Sequence, residues 1–142
     1  MAKVVITGRI PAIAVEQLRA QHDVVSWDEP VAVTREELLK RVKGADAIVS
    51  LLTEKVDAEL LDAAGPQLKV VSNVAVGYNN IDVPACKERN VLVTNTPGVL
   101  TEATADIAMA LILMSTRRLA EGERVIRKQE PWQWGMFYML GS

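Results

Sequence analysis

Short apolar runs alternate with helix-forming segments along the first hundred residues, and this alternation limits the fold more than any other feature. The runs are rich in β-branched residues and too short for useful helices, so they predict strands. The predicted strands are Lys3–Thr7, His22–Trp27, Asp46–Ser50, Leu68–Val74 and Val91–Thr94. Strands separated by short helices pair in parallel, with helices on both faces. The sequence therefore predicts an α/β fold built on a parallel sheet.

The segments between these strands carry helix start and stop signals. Pro11 suits the first turn of a helix that continues to about Ala20. Thr34 and Asp57 are typical caps for the next two helices, because their side-chain oxygens accept from free N–H groups at a helix start. Gly44 is the predicted stop of the helix that Thr34 opens.

A glycine turn follows the fourth predicted strand. Gly77 allows a backbone conformation that most residues avoid. The uncovered main-chain N–H groups of residues 75–78 could surround a small anion. One glycine is a weak signal, so a tight turn without a ligand remains the other interpretation of these residues.

A loop and a helix start follow the fifth predicted strand. Residues 95–98 (NTPG) are turn formers that end the strand. Thr101 is predicted as the N-cap of the next helix, with Glu102 in the first turn, where the helix dipole favours an acid. Thr104 lies one turn into this helix. In a parallel sheet such a helix start faces the crevice in which ligands bind.

Composition and charge exclude several classes of protein. The 142 residues are 49% hydrophobic, enough for one domain with a core. The net charge is −2 and no basic stripe with interleaved aromatics occurs, so no nucleic-acid surface is expected. We find neither a signal peptide nor an apolar run of about 18 residues, so we expect a cytoplasmic protein without membrane contact. No metal site is predicted.

The single cysteine and the single histidine are the two candidates for reactive groups. Cys86 cannot form an internal disulfide; Lys87 and Arg89 could lower its pKa, but a buried thiol on a helix is the favoured interpretation. His22 lies between a predicted helix and a strand, where a surface position is expected.

Residues 74–113 (VAVGYNNIDVPACKERNVLVTNTPGVLTEATADIAMALIL) resemble the central signature of the D-2-hydroxyacid dehydrogenases, in particular the glyoxylate/hydroxypyruvate reductase branch. The resemblance includes the VGYNNID turn, the VTNTPGVLTEATAD loop and helix start, and a WxWG segment near the C-terminus. It covers nearly the whole chain.

This resemblance implies a flavodoxin-like substrate-binding domain with helices on both faces of the sheet, followed by a long C-terminal connecting helix. Residues 1–100 would form that domain, residues 101–130 the connecting and dimerisation helix, and residues 131–142 an aromatic tail. The tail would lead to an NAD(P)-binding domain that the chain lacks. The eight glycines include no pair two residues apart, so the GxGxxG fingerprint of that domain is absent.

The family's catalytic Arg, Glu and His match no position here, so no catalytic residue is predicted and the chain alone is expected to be inactive. The coenzyme, NAD or NADP, is expected for a full-length parent, with no tight binding by this chain. The residues distinguish neither the 2-oxo acid nor the coenzyme.

The resemblance also implies a substrate site at the carboxyl edge of the sheet. Leu52 and Thr53 would lie against a small 2-oxo or 2-hydroxy acid, whose carboxylate the N–H groups of Val76 and Gly77 would hold. Two convergent amides can bind a carboxylate without a charged side chain. Val76 and Thr104 would lie near the nicotinamide. For Leu52 and Thr104, ordinary packing and helix capping are the alternatives.

The helix beginning near Glu102 is informative about assembly. Residues 103–114 are apolar nearly all round, so we expect burial on most sides. Glu123 and Arg127 form an i,i+4 pair typical of an exposed surface. A helix that continued to Gln129 would span roughly 40 Å, the full width of a globule of this size. Its end would then project or rest on another chain.

Four of the six aromatic residues lie in the last eleven positions: Trp132, Trp134, Phe137 and Tyr138. Aromatics concentrated in a terminal segment favour a partner surface. By resemblance, Trp134 would reach the substrate pocket of a second subunit. We therefore expect a homodimer formed through the long helix and an exchanged aromatic tail. A tail that is disordered without its own coenzyme domain is the alternative.

Three functions are compatible with these features. The first is the substrate-binding part of an NAD(P)-dependent dehydrogenase that reduces glyoxylate or hydroxypyruvate, and it explains the whole motif set. The second is a stand-alone 2-oxo-acid-binding or regulatory dimerisation module. The third is a flavodoxin-like interaction module without a ligand.

Overall fold

The computed structural model describes residues 1–131 and 134–140, and the chain divides into two units at residues 98 and 99. The first unit contains the sheet, and the second contains two helices and the C-terminal segment. Trp132 of the predicted WxWG segment lies outside the described residues.

The first unit alternates strands and helices as the sequence predicts. Its elements are β1 (Lys3–Ile6), α1 (Ala12–Arg19), β2 (Asp23–Ser26), α2 (Arg35–Arg41), β3 (Ala47–Ser50), α3 (Ala58–Ala64), β4 (Val70–Asn73), α4 (Val83–Glu88) and β5 (Leu92–Thr94). All neighbouring strands pair in parallel, in the order β2-β1-β3-β4-β5. The predicted α/β fold with a parallel sheet is confirmed.

Side-chain caps explain where most helices of this unit begin. Thr34 accepts a hydrogen bond from the Glu37 N–H, and Asp57 accepts one from the Leu60 N–H, as the sequence predicts. Asp82 caps α4 in the same way. Pro11 precedes α1 as its N-cap and not as a residue of its first turn. The helices therefore start where a short polar side chain or a proline fixes the entering backbone.

Strand alternation divides the core between the two faces of the sheet. Val5, Ile48 and Val71 point to one face and belong to the larger buried cluster, to which α2, α3 and α4 contribute. Val4 and Ile6 point to the other face and pack with α1 in a smaller cluster. Successive strand residues face opposite sides, so one short strand serves both layers.

Cys86 is fully buried in the larger cluster, on α4. Burial raises the pKa of this thiol, the charge of Asp82 raises it further, and Arg89 opposes them. The favoured interpretation of a buried thiol is confirmed, and the alternative of a lowered pKa is wrong.

His22 is half-buried just before β2, and within residues 1–131 and 134–140 its buried Nδ1 has no hydrogen-bond partner.

The second unit contains α5 (Thr101–Arg117) and α6 (Leu119–Arg127). The expectation of one continuous helix to Gln129 is wrong, because Arg118 adopts a left-handed conformation with φ 54° and divides the two helices. Thr101 is the first residue of α5, and Leu100 occupies the N-cap position predicted for Thr101. The predicted ion pair between Glu123 and Arg127 is present in α6.

No residue of α5 is buried. Its apolar side chains are about half exposed, as at Ile107 and Leu111, so the expected burial on most sides is not achieved among residues 1–131 and 134–140. An apolar helix face stabilises a fold only when another surface covers it.

Among the described residues, none of the helices has the length and apolar character needed to cross a membrane.

Candidate functional site

Two loops meet at the carboxyl edge of the sheet, where ligands of open parallel sheets bind. One follows β3 and begins at Leu51; the other follows β4 and contains the 76–78 turn. Ser50 and Asn73, the last residues of β3 and β4, are paired neighbours in the sheet, which brings the loops together. Leu52 and Val76 stay 57% and 41% exposed there.

Buried amides and a buried hydroxyl connect the two loops. Ser50 Oγ donates to Asn73 Oδ1 at 2.9 Å, and Asn73 Nδ2 donates to Asn80 Oδ1 at 3.1 Å. Asn80 Nδ2 then donates to the carbonyls of Leu51 and Glu54 at 3.1 and 3.0 Å. This network links both loops, and its buried members, Ser50 and Asn73, make its hydrogen bonds costly to break.

The buried carboxylate of Glu54 fixes the loop after β3 through hydrogen bonds. Its carboxylate is 5% exposed, and Oε2 accepts from Thr7 Oγ1 at 2.6 Å and from the Leu51 N–H at 2.9 Å. Thr53 Oγ1 donates to the other oxygen. Within the described residues Glu54 forms no ion pair with a lysine or arginine. Three donors therefore stabilise this buried carboxylate, and they position Leu51 and Thr53.

Gly8 makes room for this loop at the end of β1. A Cβ atom there would clash with Leu51 Cδ1. Leu51 and Thr53, with Glu54 and Arg9, line an open cavity of about 230 Å³. A larger cavity of about 640 Å³ lies on the sheet face that α1 covers in part, and its lining includes His22, Val74 and Thr94.

The 76–78 turn pairs its carbonyls and leaves its amides free. The carbonyls of residues 75–78 each accept one hydrogen bond, from the Thr96 N–H, Asn95 Nδ2, Asn73 Nδ2 and the Ile81 N–H at 2.8–2.9 Å. In the part of the chain that the structure describes, the N–H groups of Val76 and Gly77 donate to no protein acceptor. Both residues are exposed.

Glycine at position 77 has a different role from the expected one. Positive φ angles occur at Gly44, Gly65 and Gly98 but not at Gly77, so the turn does not require an unusual backbone conformation there. A Cβ at Gly77 would instead lie 3.1 Å from Asn79 Oδ1. The absent side chain leaves the amide uncovered, and this openness is what a small anion needs.

Four of the predicted site residues, Leu52, Thr53, Val76 and Gly77, thus share one edge of the first unit. Thr104 and Trp134 belong to the second unit. Thr104 lies in the first turn of α5, where its N–H donates to the Leu100 carbonyl at 2.9 Å, and Trp134 is 92% exposed. The roles implied for all six remain predictions.

Sequence reasoning missed the residues that support the loops: Glu54, Asn73, Asn80 and Asn95. Their signal was an acid and three asparagines placed at the end of a strand, directly after one or within a turn. No group of three or more His, Cys, Asp or Glu side chains within residues 1–131 and 134–140 is arranged to hold a metal ion.

Residues 4–135 match the family model described as "D-isomer specific 2-hydroxyacid dehydrogenase, catalytic domain". A glyoxylate reductase of Thermococcus onnurineus is 46% identical over 128 residues, which cover 90% of this chain and 38% of the relative. The chain thus spans about two fifths of the length of such curated relatives.

Solved structures agree with this match. The TT0316 protein of Thermus thermophilus is 38% identical with a TM-score of 0.88, covering 98% of this chain and 44% of that one. An NADPH-dependent glyoxylate/hydroxypyruvate reductase of Sinorhizobium meliloti, in complex with NADP and malonate, is 31% identical with a TM-score of 0.67, covering 89% of this chain and 38% of that one. The chain therefore belongs to the D-2-hydroxyacid dehydrogenases, a family of oxidoreductases that act on CH–OH groups.

Proposed function

We propose that this chain is the substrate-binding part of an NAD(P)-dependent dehydrogenase that reduces small 2-oxo acids such as glyoxylate or hydroxypyruvate. The observation that carries the proposal is the pair of free N–H groups at Val76 and Gly77, exposed at the carboxyl edge of a parallel sheet. Two such donors match the two oxygens of a carboxylate and supply partial positive charge without a charged side chain.

The neighbouring loop completes the proposed substrate contact. Leu52 is exposed beside the turn, and Thr53 is held by Glu54, so one apolar and one hydroxyl-bearing side chain border the anion site. A carboxylate fixed at the turn would place the adjacent carbonyl carbon of the substrate outside the sheet edge. Orientation of this kind removes much of the entropy cost of a bimolecular step.

The residues present do not form a coenzyme cradle. The eight glycines contain no GxGxxG pattern, so the pyrophosphate-binding turn of a dinucleotide site is missing from this sequence. A bound nicotinamide supplies hydride chemistry. We therefore propose contact of Val76 and Thr104 with a coenzyme that another domain holds, and no turnover by this chain alone.

An NMR titration of the ¹⁵N-labelled chain tests the anion site. We expect hydroxypyruvate to shift the amide resonances of Val76 and Gly77 more than those elsewhere in the chain. Dihydroxyacetone, in which a hydroxymethyl group replaces the carboxylate, is the matched control and should leave them in place. Equal shifts with both compounds, or shifts confined to other residues, would contradict the proposal. Consumption of NADH or NADPH with hydroxypyruvate would contradict the expected inactivity.

We further propose a homodimer formed through α5 and the aromatic tail. The supporting observation is the apolar surface of α5, which has no buried residue, together with the exposed Trp134 and Phe137. A second copy offers the same unpartnered surface, and closed two-fold assemblies are the commonest way to cover one.

Light scattering tests this assembly. We expect the mass of two chains for the unmodified protein and of one chain after the double change Ile107→Asp and Leu111→Asp. Ile13→Asp is the control, because Ile13 is an equally exposed apolar residue on α1. A single-chain mass for the unmodified protein at micromolar concentration would refute the dimer.

A further inference from the structure

The direction of each free amide in the 76–78 turn depends on the carbonyl that precedes it. In a trans peptide group the C=O and the following N–H point in opposite directions within one plane. A donor that captures the carbonyl therefore also fixes the direction of the N–H. The Ala75 carbonyl controls the N–H of Val76 in this way, and the Val76 carbonyl controls the N–H of Gly77.

Both controlling carbonyls are held by the loop that follows β5. The Thr96 N–H donates to the Ala75 carbonyl at 2.9 Å, and Asn95 Nδ2 donates to the Val76 carbonyl at 2.8 Å. Two adjacent residues thus hold two adjacent peptide groups with their N–H sides directed away from that loop. Asn73 holds the next carbonyl, that of Gly77, at 2.9 Å.

The Val76–Gly77 peptide group is the one in this turn that rotates most easily when no hydrogen bond holds its carbonyl. Its rotation changes ψ of the residue before it and φ of the residue after it, and glycine at position 77 opposes that change least. The Val76 carbonyl accepts from a side chain, whereas its neighbour at Ala75 accepts from backbone. One amide orientation in this turn therefore depends on a single replaceable group, the carboxamide of Asn95.

We propose that Asn95 is a positioning residue for substrate carboxylate binding, acting through the Val76 carbonyl to aim the N–H of Gly77 at the anion. This inference rests on the proposed function for the identity of the ligand. The orientation of the peptide group does not depend on that function, and it can be measured without any ligand. Asn95 itself is half-buried, so its replacement is not expected to unfold the domain.

The test compares Asn95→Ala and Asn95→Asp with Asn79→Ala in the ¹⁵N-labelled full chain. The aspartate variant keeps the size of the side chain, loses the N–H donor and adds a negative charge, so the alanine variant is the one whose affinity reports the lost hydrogen bond alone. Asn79 is the matched control, since it directly follows the turn and its side chain makes no hydrogen bond with the described residues. Residual dipolar couplings of the backbone report the direction of each N–H, and hydroxypyruvate titrations report affinity.

We expect both Asn95 variants to reduce the residual dipolar coupling of the Gly77 N–H, because a peptide group that rotates averages this coupling. The residual dipolar couplings of the sheet residues should stay unchanged. We expect hydroxypyruvate to bind Asn95→Ala about 3- to 10-fold more weakly than the unmodified chain, the usual effect of one lost hydrogen bond. Asn79→Ala should match the unmodified chain in both measurements.

Two contrary outcomes have different meanings. An unchanged Gly77 coupling in the Asn95 variants would overturn the positioning role, whatever the affinity for hydroxypyruvate. If the Asn95 variants change the Gly77 coupling but the unmodified chain does not bind hydroxypyruvate, the carboxylate assignment is overturned, and the proposed function with it.

Discussion

The two units of this chain place their apolar residues in opposite environments. In the first unit, Ile48, Leu60 and Val71 are fully buried between the sheet and its helices. In the second unit, Ile107 and Leu111 on α5 are more than half exposed. Apolar content creates the need for burial, and the order of elements decides whether one chain can meet it. In the first unit each of the first four strands is followed by a helix of the same unit, and these helices contribute to its buried clusters, whereas among the described residues no residue of α5 is buried.

The same substitution in each unit tests this contrast most strongly. We expect Leu60→Ala on α3 to lower the free energy of unfolding by about 2–5 kcal/mol, because it opens a cavity in the core. Leu111→Ala on α5 should change it by about 0.5 kcal/mol or less in dilute solution. Urea unfolding measures both. A large loss at Leu111 in dilute protein would mean that the chain itself buries α5.

Two glutamate-to-alanine changes compare a buried carboxylate of the first unit with an exposed carboxylate of the second unit. Glu54→Ala leaves the buried donors Thr7 Oγ1 and the Leu51 N–H unpaired, so we expect a loss of about 1–3 kcal/mol. Glu123→Ala removes one partner of an exposed ion pair in α6, worth about 0.5 kcal/mol. Chemical denaturation again gives both values. Equal effects would show that the Glu54 hydrogen bonds do not stabilise the first unit more than a surface pair does.

The smallest expected effect concerns pH and the contact between α2 and α3. Partial burial raises the pKa of Asp57, but hydrogen bonds from the Arg35 guanidinium and the Leu60 N–H lower it more, so its pKa lies below the ordinary value. A depressed pKa adds stability above the pKa of the unfolded chain, about 4. That stability is lost as the pH falls through the lower folded value.

Asp57→Asn retains the cap and removes the charge, so its comparison with the unmodified chain isolates this effect. We expect the unmodified chain to be more stable at neutral pH and the difference to shrink below about pH 4. Thermal unfolding across this range measures it. Asp23→Asn, at an exposed position, is the control. A difference that grows as the pH falls would contradict the sign of the shift.

Most of the first unit could be predicted from sequence because its signals are local. Thr34 and Asp57 cap the helices that begin at the next residue, each accepting from an N–H three residues along the chain, and strand runs such as residues 46–50 carry their own pattern. The break at Arg118 could not be predicted in this way. Arginine is a good helix former, and no proline or glycine marks the position, so only the folded backbone shows the left-handed residue.

The candidate site likewise contains one part that local sequence predicts and one part that it does not. The turn around Gly77 could be predicted from contiguous residues, with its role towards a carboxylate implied by the resemblance. Its supports could not be predicted, because the hydrogen bonds that form them join distant positions: Asn80 and Leu51 are 29 residues apart, and Thr7 and Glu54 are 47 apart. A linear pattern shows which groups can donate, and only the sheet shows which acceptor each one reaches.

The burial of Cys86 makes its thiol a built-in reporter of local opening in the first unit. It is the only cysteine, it is fully enclosed in the larger cluster of the first unit, and its thiol is held protonated. A thiol reagent can therefore modify it only while that cluster is open. The rate of labelling by an excess of reagent counts the openings of the sheet domain, with no introduced probe and no contribution from the second unit.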